Sequence, residues 1–187
     1  MGAPQSIPRR AIRLAEYHKM IDAGVFHEDN RMELIEGELI QMAPIGGAHM
    51  QLVNLLAHRL YGQLAGAGVV STQNPIALPP DSEPEPDIAV LRPECLRRKE
   101  VPHAQDVLLL IEIAATTLEY DRDVKIPLYA KHGIPEVWIF DESARVVSIY
   151  REPVRTSFRR LLTPQKDETI SPLLLPNVKI SLADLWQ

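Results

Sequence analysis

The amino-acid sequence has little of several things that would point to particular classes of protein. It contains one cysteine, Cys95, which excludes an internal disulfide and a zinc site of paired cysteines. Its longest strictly apolar run, residues 107–111, is far shorter than the roughly 20 residues that a membrane-spanning helix needs. We therefore expect a protein of the reducing cytoplasm that has no membrane segment.

The sequence also has fewer positively than negatively charged residues. The 187 residues include 20 Lys and Arg against 25 Asp and Glu, which leaves a formal net charge of -5. A chain with this balance does not coat nucleic acid by bulk charge, so any contact with nucleic acid has to be local. Because 45% of the residues are hydrophobic, we expect a single domain over residues 1–187, with a flexible segment at 1–12.

The spacing of apolar residues predicts three helices. Over residues 48–64 they recur every three or four positions, which is typical of an amphipathic helix, and Gly66 closes it. A shorter helix is predicted over 14–23. A third helix begins near residue 120 or 123 and ends at His132, and Pro127 requires it to start late or to kink.

Short apolar segments between these helices predict strands. A tight hairpin over 32–40 turns at Glu36-Gly37. Further strands are predicted at 69–72, 88–91, 107–113, 137–140, 146–150 and 158–163, the last three antiparallel with turns at 141–143 and near Pro153. The segment 107–113 is apolar on both faces, which indicates a central strand that is covered on both sides. The pattern therefore predicts a mixed α/β sheet with helices packed against it.

Glu112 stands out because it places a carboxylate in the otherwise apolar strand at 107–113. Burying an unpaired charge costs several kcal/mol, so another group must compensate it. Three explanations are open at this point: a salt bridge to an Arg or Lys, a position at the solvent-exposed end of the strand, or a bound metal ion.

Asp87 adds to the case for a metal ion. It follows Pro86 directly and precedes the strand at 88–91. If that strand pairs with 107–113, the carboxylates of Asp87 and Glu112 converge, and carboxylate oxygens are the ligands that Mg²⁺ prefers. The alternative is an ordinary aspartate in an acidic loop.

Lys125 follows Glu112 on the third helix, with Asp121 one turn before it and Tyr129 one turn after it. One interpretation is a surface pair of Asp121 and Lys125, which is worth only about 0.2–0.5 kcal/mol. The other is a cation that stabilises the charge developing on a phosphoryl group.

An ordered series of short segments adds information that no single residue carries. The segments are Arg31 to Leu39, Gly46 to His49, Pro84 to Val90, Leu110 to Ile113 with Thr116-Thr117, Tyr120-Asp121 with Lys125 and Leu128-Tyr129, and Gly133 to Trp138. In order and spacing the chain resembles the Uma-two family of endonucleases, closely over 31–141 and loosely over 173–185. That family belongs to the restriction-endonuclease-like PD-(D/E)XK superfamily.

The resemblance implies a restriction-endonuclease-like fold, a mixed central β-sheet flanked by α-helices. It also implies a divalent metal, Mg²⁺ or alternatively Mn²⁺, bound by Asp87 and Glu112. The chain departs from the superfamily motif, because Ala114 stands two residues after Glu112 in place of a lysine. The resemblance implies that Lys125 replaces this lysine and completes the catalytic set. Family members often carry Ser or Asp where this chain has Ala115, so we expect one supporting hydrogen bond to be missing.

Five further residues are candidates for supporting roles. The resemblance favours Glu33 and Glu38 as neighbours of the site, and the alternative is a charged, exposed hairpin. His49, at the start of the long helix, is a candidate to orient a water or a phosphate, and the alternative is a capping or solvated histidine. Asp121 and Tyr129 join the set through their spacing from Lys125.

Two functions are consistent with these observations. The first is a metal-dependent endonuclease that hydrolyses phosphodiester bonds of nucleic acid, DNA in the first instance; the resemblance suggests a bacterial homodimer. The second is a catalytically degenerate module that binds nucleic acid or mediates homo-oligomeric interaction, which Ala114 and Ala115 favour. The following arginines either form a basic face for the nucleic-acid backbone or are solvated: Arg145, Arg151, Arg155, Arg159 and Arg160.

Overall fold

The computed structural model describes residues 10–26 and 31–186. The chain divides into two compact units, Met1–Ala43 with Ala77–Pro84 and Pro44–Ile76 with Glu85–Gln187. Residues 1–9 of the expected flexible segment lie outside the described residues. No helix in the described part of the chain is long and apolar enough to cross a membrane.

The first unit contains one helix and one hairpin. Helix α1 (Leu14–Asp22) precedes strands β1 (Met32–Ile35) and β2 (Glu38–Gln41), which pair in antiparallel fashion. Glu36 and Gly37 connect the strands with φ angles of 48° and 83°, the positive values that a type I′ hairpin turn requires. The predicted hairpin and its turn are therefore confirmed.

A six-stranded mixed sheet forms the centre of the second unit. Its strands are β3 (Val69–Thr72), β4 (Ile88–Leu91), β5 (Val107–Ala114), β6 (Glu136–Asp141), β7 (Val146–Val154) and β8 (Ser157–Leu162). They lie in sequence order across the sheet, and all neighbours are antiparallel except β5 and β6, which are parallel. The predicted mixed α/β sheet is confirmed.

Strand β5 lies inside this sheet between β4 and β6, and all of its residues are buried. Leucine, isoleucine and valine side chains on both faces explain this position, because covering both faces removes the most apolar surface from water. Helix α2 (Gly47–Leu64) contributes Leu52, Leu56 and Leu60 to the same hydrophobic core.

The helical segment after β5 is not a regular α-helix. It begins as a single turn, α3 (Leu118–Tyr120), continues as a π-helix over Asp121–Lys125 and ends as α4 (Ile126–Lys131). Pro127 has no N–H to donate to the preceding turn, so the α-helical hydrogen-bond pattern cannot continue through it. The sequence predicted a late start or a kink at this proline, and the structure has a π-helical turn instead.

The C-terminal part differs from the prediction in two places. Strand β7 runs through Pro153, and the turn follows at 155–156. The proline fits because β7 pairs with β6 only as far as Arg151, so Pro153 has a partner strand on one side alone. The short strands β9 (Thr169–Ile170) and β10 (Ile180–Ser181) were not predicted, because two residues are too few for an alternating pattern.

Candidate functional site

Two acidic residues meet at one end of the central sheet. Asp87 precedes β4, and β4 pairs with β5 so that Ile88 lies opposite Ile111. The backbone N–H of Asp87 points towards Glu112 Oε2 at 3.4 Å. Asp87 Oδ2 accepts a hydrogen bond of 2.8 Å from the backbone N–H of Ile113. The predicted pairing of these two strands is observed and places Asp87 next to Glu112, and their joint role as metal ligands stays a prediction.

The Glu112 carboxylate is buried, with 3% of the residue exposed. The Tyr129 hydroxyl donates a hydrogen bond of 2.5 Å to Oε1, and Lys125 Nζ lies 3.4 Å from the same oxygen. Burial raises the pKa of Glu112 to about 8, although the charge of Lys125 acts in the opposite direction. The negative charges of Asp121 and Asp87 add to the increase of this pKa. Groups of the protein therefore compensate the ionised form of Glu112 only in part.

Lys125 approaches Glu112 from the π-helical turn. Within this turn Asp121 and Lys125 are buried, whereas Arg122 and Asp123 are exposed and pair with each other at 2.8 Å. Thr117 Oγ1 donates a hydrogen bond of 2.8 Å to Asp121 Oδ2, which fixes that carboxylate. The interpretation of Asp121 and Lys125 as a solvated surface pair is wrong, because both side chains are buried.

His49 lies in the first turn of α2 and contacts the other acid. Its Nε2 is 2.7 Å from Asp87 Oδ1, and the side chains of His49 and Asp87 are 16% and 15% exposed. The hydrogen bond with Asp87 raises the pKa of His49 above its ordinary value, and burial acts against this. His49 is therefore neither a solvated histidine nor a cap of its own helix.

Glu33 and Glu38 belong to the first unit, whereas the other candidate residues belong to the second. Glu33 on β1 is buried and Glu38 on β2 is exposed. Both side chains lie on the same face of the hairpin, because Glu38 is opposite Ile35 and Glu33 is two positions before Ile35. The burial of Glu33 is not what a fully exposed, charged hairpin would show. A role for either residue in the site stays a prediction.

Sequence reasoning gave no site role to Thr117, which it quoted only among the segments of the family resemblance, or to Glu142. Thr117 holds Asp121, and the negative charge of Glu142 contributes to the raised pKa of His49. Topology could have found Glu142, since residues that follow parallel strands lie at the same edge of a sheet. Glu142 follows β6, and its backbone N–H donates to the carbonyl oxygen of Ala114 at the end of β5, at 3.0 Å.

The five arginines do not form one basic face. Arg151 is mostly buried and forms an ion pair of 2.7 Å with Glu136, so its positive charge is compensated within the protein. Arg160 lies 3.5 Å from Glu152 at the surface. The other members are exposed: Arg145, Arg155 and Arg159.

The donor set at this end of the sheet fits a divalent cation. Asp87 and Glu112 present carboxylate oxygens, and the charge of Glu112 lacks full compensation within the protein. Among the described residues, no group of three or more His, Cys, Asp or Glu side chains is arranged to hold a metal ion. The two carboxylates would therefore leave other coordination positions to water and substrate, as is usual for Mg²⁺.

Comparisons with known proteins bear on this geometry. A family model described as "Uma2: Putative restriction endonuclease" matches residues 14–183. A comparison with curated proteins gives no match. The chain is also similar to a crystal structure from Anabaena variabilis described as "a putative nuclease belonging to DUF820". The two structures have a TM-score of 0.74 and 20% sequence identity, and the match covers 94% of this chain and 97% of that chain. At this identity the structural similarity concerns the fold, and it agrees with the predicted restriction-endonuclease-like sheet.

Proposed function

Because the chain belongs to the Uma2 family, we propose that it is a divalent-metal-dependent endonuclease. In this proposal it hydrolyses phosphodiester bonds, and its substrate is DNA. One observation supports the proposal more than any other. Asp87 and Glu112 are neighbours, with the Asp87 backbone nitrogen 3.4 Å from Glu112 Oε2, and the buried ammonium group of Lys125 lies 3.4 Å from Glu112 Oε1. A buried cation beside two carboxylates is an arrangement suited to phosphoryl transfer.

In this proposal Asp87 and Glu112 hold the metal ion, most readily Mg²⁺, with Mn²⁺ as a substitute. When bound, such an ion supplies Lewis acidity at a phosphoryl oxygen and positive charge for the activation of water. Tyr129 orients Glu112, because its hydroxyl donates to Oε1 and leaves Oε2 on the side of Asp87.

Lys125 takes the role of the motif lysine that Ala114 replaces. Its ammonium group provides a fixed positive charge near the reacting phosphate, where negative charge increases during the attack of water. The side chain is 7% exposed, so water screens this charge little and the group does not have to reorganise during the reaction.

A plasmid assay tests the proposal. The full chain should nick or cleave supercoiled DNA with Mg²⁺ or Mn²⁺, and EDTA should stop the reaction. Asp87→Asn and Glu112→Gln should abolish cleavage, whereas Asp167→Asn, a matched change at an exposed position, should leave it unchanged.

The assay also separates the proposed nuclease from the alternative module. Retention of DNA by a filter or gel assay without cleavage under any metal would support the degenerate binding module, which Ala114 and Ala115 favour. Cleavage that survives Asp87→Asn would contradict the proposed site. The homodimer, the cytoplasmic location and the bacterial origin stay predictions.

A further inference from the structure

We propose that His49 is a positioning residue for Asp87, whose carboxylate it holds in the orientation that cation binding requires. This inference rests on the proposed function, since it concerns one of the two carboxylates of the same site. It adds helix α2 to the elements that build the site, although in this proposal α2 contributes no metal ligand.

The geometry around Asp87 is the first step. Its two oxygens have different donors on different elements: Oδ2 accepts from the backbone N–H of Ile113 at 2.8 Å, and Oδ1 is 2.7 Å from His49 Nε2. A carboxylate with one donor can still rotate about its Cβ–Cγ bond, whereas donors on both oxygens fix the plane of the group. His49 is therefore the side chain that determines how Asp87 faces its neighbour.

The charge of the neighbouring residue explains why Asp87 needs to be held. When ionised, Glu112 carries the same charge as Asp87, and its Oε2 lies 3.4 Å from the Asp87 backbone nitrogen, so the two carboxylates then repel each other. Glu112 has Tyr129 as its side-chain donor, and Asp87 has His49 in the equivalent position. Each carboxylate is thus oriented by one aromatic ring that carries a hydrogen-bond donor.

Helix α2 supplies the rigidity that a positioning residue needs. His49 lies in its first turn, and Leu52, Val53 and Leu56 in the next turns are buried in the hydrophobic core. A side chain on such a packed helix is held more firmly than one on a loop. His58 lies on the same helix but is exposed, so it offers a matched control.

The expected effect concerns metal affinity. Removal of an outer hydrogen-bond partner from a metal-ligating side chain typically weakens metal binding 10–100-fold. We therefore expect His49→Ala to weaken Mn²⁺ binding by about this factor. Glutamine carries an N–H at nearly the same distance from the backbone as histidine Nε2, so His49→Gln should restore most of the affinity, whereas the shorter His49→Asn should not.

Isothermal titration of the full chain with Mn²⁺ provides the test, with the wild type, His49→Ala, His49→Gln, His49→Asn and His58→Ala. The order expected is wild type, His58→Ala and His49→Gln close together, then His49→Asn and His49→Ala much weaker. A merely structural role would not distinguish Gln from Asn, and the comparison of these two variants decides the question even if the alanine variant folds poorly.

Three different results would overturn the inference. If His49→Ala binds Mn²⁺ as tightly as the wild type, or if Gln is as weak as Asn, then His49 does not position Asp87. If the wild type itself binds neither Mn²⁺ nor Mg²⁺, then the proposed function fails first, and the inference fails with it.

Discussion

The central sheet contains two buried glutamates, Glu112 on β5 and Glu136 on β6, and they differ in how completely the protein compensates them. Glu136 is fully buried and accepts hydrogen bonds from Arg151 Nε at 2.8 Å and from Trp138 Nε1 at 2.7 Å. The backbone N–H of Leu173 donates to its other oxygen. Glu112 accepts from the Tyr129 hydroxyl and, at 3.4 Å, from the backbone N–H of Asp87, and Lys125 Nζ lies 3.4 Å from its Oε1. Burial of a carboxylate by itself therefore does not distinguish the two glutamates, whereas the degree of compensation does.

The two residues also lie at opposite ends of the parallel pair of strands. Glu136 begins β6, whereas Glu112 is two residues from the end of β5. In sheets with parallel strands, ligands bind beyond the carboxyl ends of the strands. The position of Glu112 agrees with this rule, whereas Glu136 lies at the amino end and forms an ion pair of 2.7 Å with Arg151.

The first prediction makes the structural glutamate neutral. Glu136→Gln leaves the buried guanidinium of Arg151 without its counter-charge, and breaking a buried pair in this way costs about 3–5 kcal/mol of the free energy of unfolding. Urea denaturation measures the loss. Glu152→Gln, at an exposed ion pair with Arg160, serves as control and should change stability by less than about 1 kcal/mol. Equal effects of the two changes would remove the distinction between the glutamates.

The second prediction concerns the partner of the candidate site glutamate. Lys125→Met keeps an apolar chain of similar length and removes the ammonium group, so cleavage should slow by roughly 10²–10³, the scale of one preorganised electrostatic group. Single-turnover cleavage of labelled DNA measures the rate. Lys131→Met, on the exposed end of α4, should cleave normally. A normal rate for Lys125→Met would leave no replacement for the lysine missing at Ala114, and we would then favour the binding module.

The third prediction applies the change made at Glu136 to Glu112. Glu112→Gln removes the charge that lies 3.4 Å from the buried Lys125, but burial raises the pKa of Glu112 and so already opposes its ionised form. Unlike Glu136→Gln, the change should therefore leave metal-free stability unchanged or slightly higher. The variant should lose the stabilisation by Mg²⁺, which for the wild type is about 2.7 kcal/mol at a metal concentration 100 times Kd. Thermal unfolding with and without Mg²⁺ measures both. A large loss of metal-free stability would make Glu112 a structural residue like Glu136.

The sequence predicted β5 and the conflict within it, because one acid in an apolar run needs no tertiary information to be noticed. It did not single out Glu136, since the predicted strand began at Val137, one residue after the observed start of β6. It also grouped Arg151 with exposed arginines. The alternation along β7 does not reveal that Arg151 faces Glu136 across the pair of β6 and β7, which the register alone establishes.

Local pattern by itself determined the elements of this protein: the hairpin turn at Glu36-Gly37, the long helix and the strands of the mixed sheet, because periodicity and turn residues act over a few neighbouring positions. The sequence also identified Asp87, Glu112 and Lys125 as candidate site residues. Only the tertiary structure decided whether these groups meet, since their distances depend on strand register and on the π-helical turn that directs Lys125 inward. The same holds for the compensation of each buried charge, because Coulomb energy depends on separation and solvent exposure in space and not on separation along the chain.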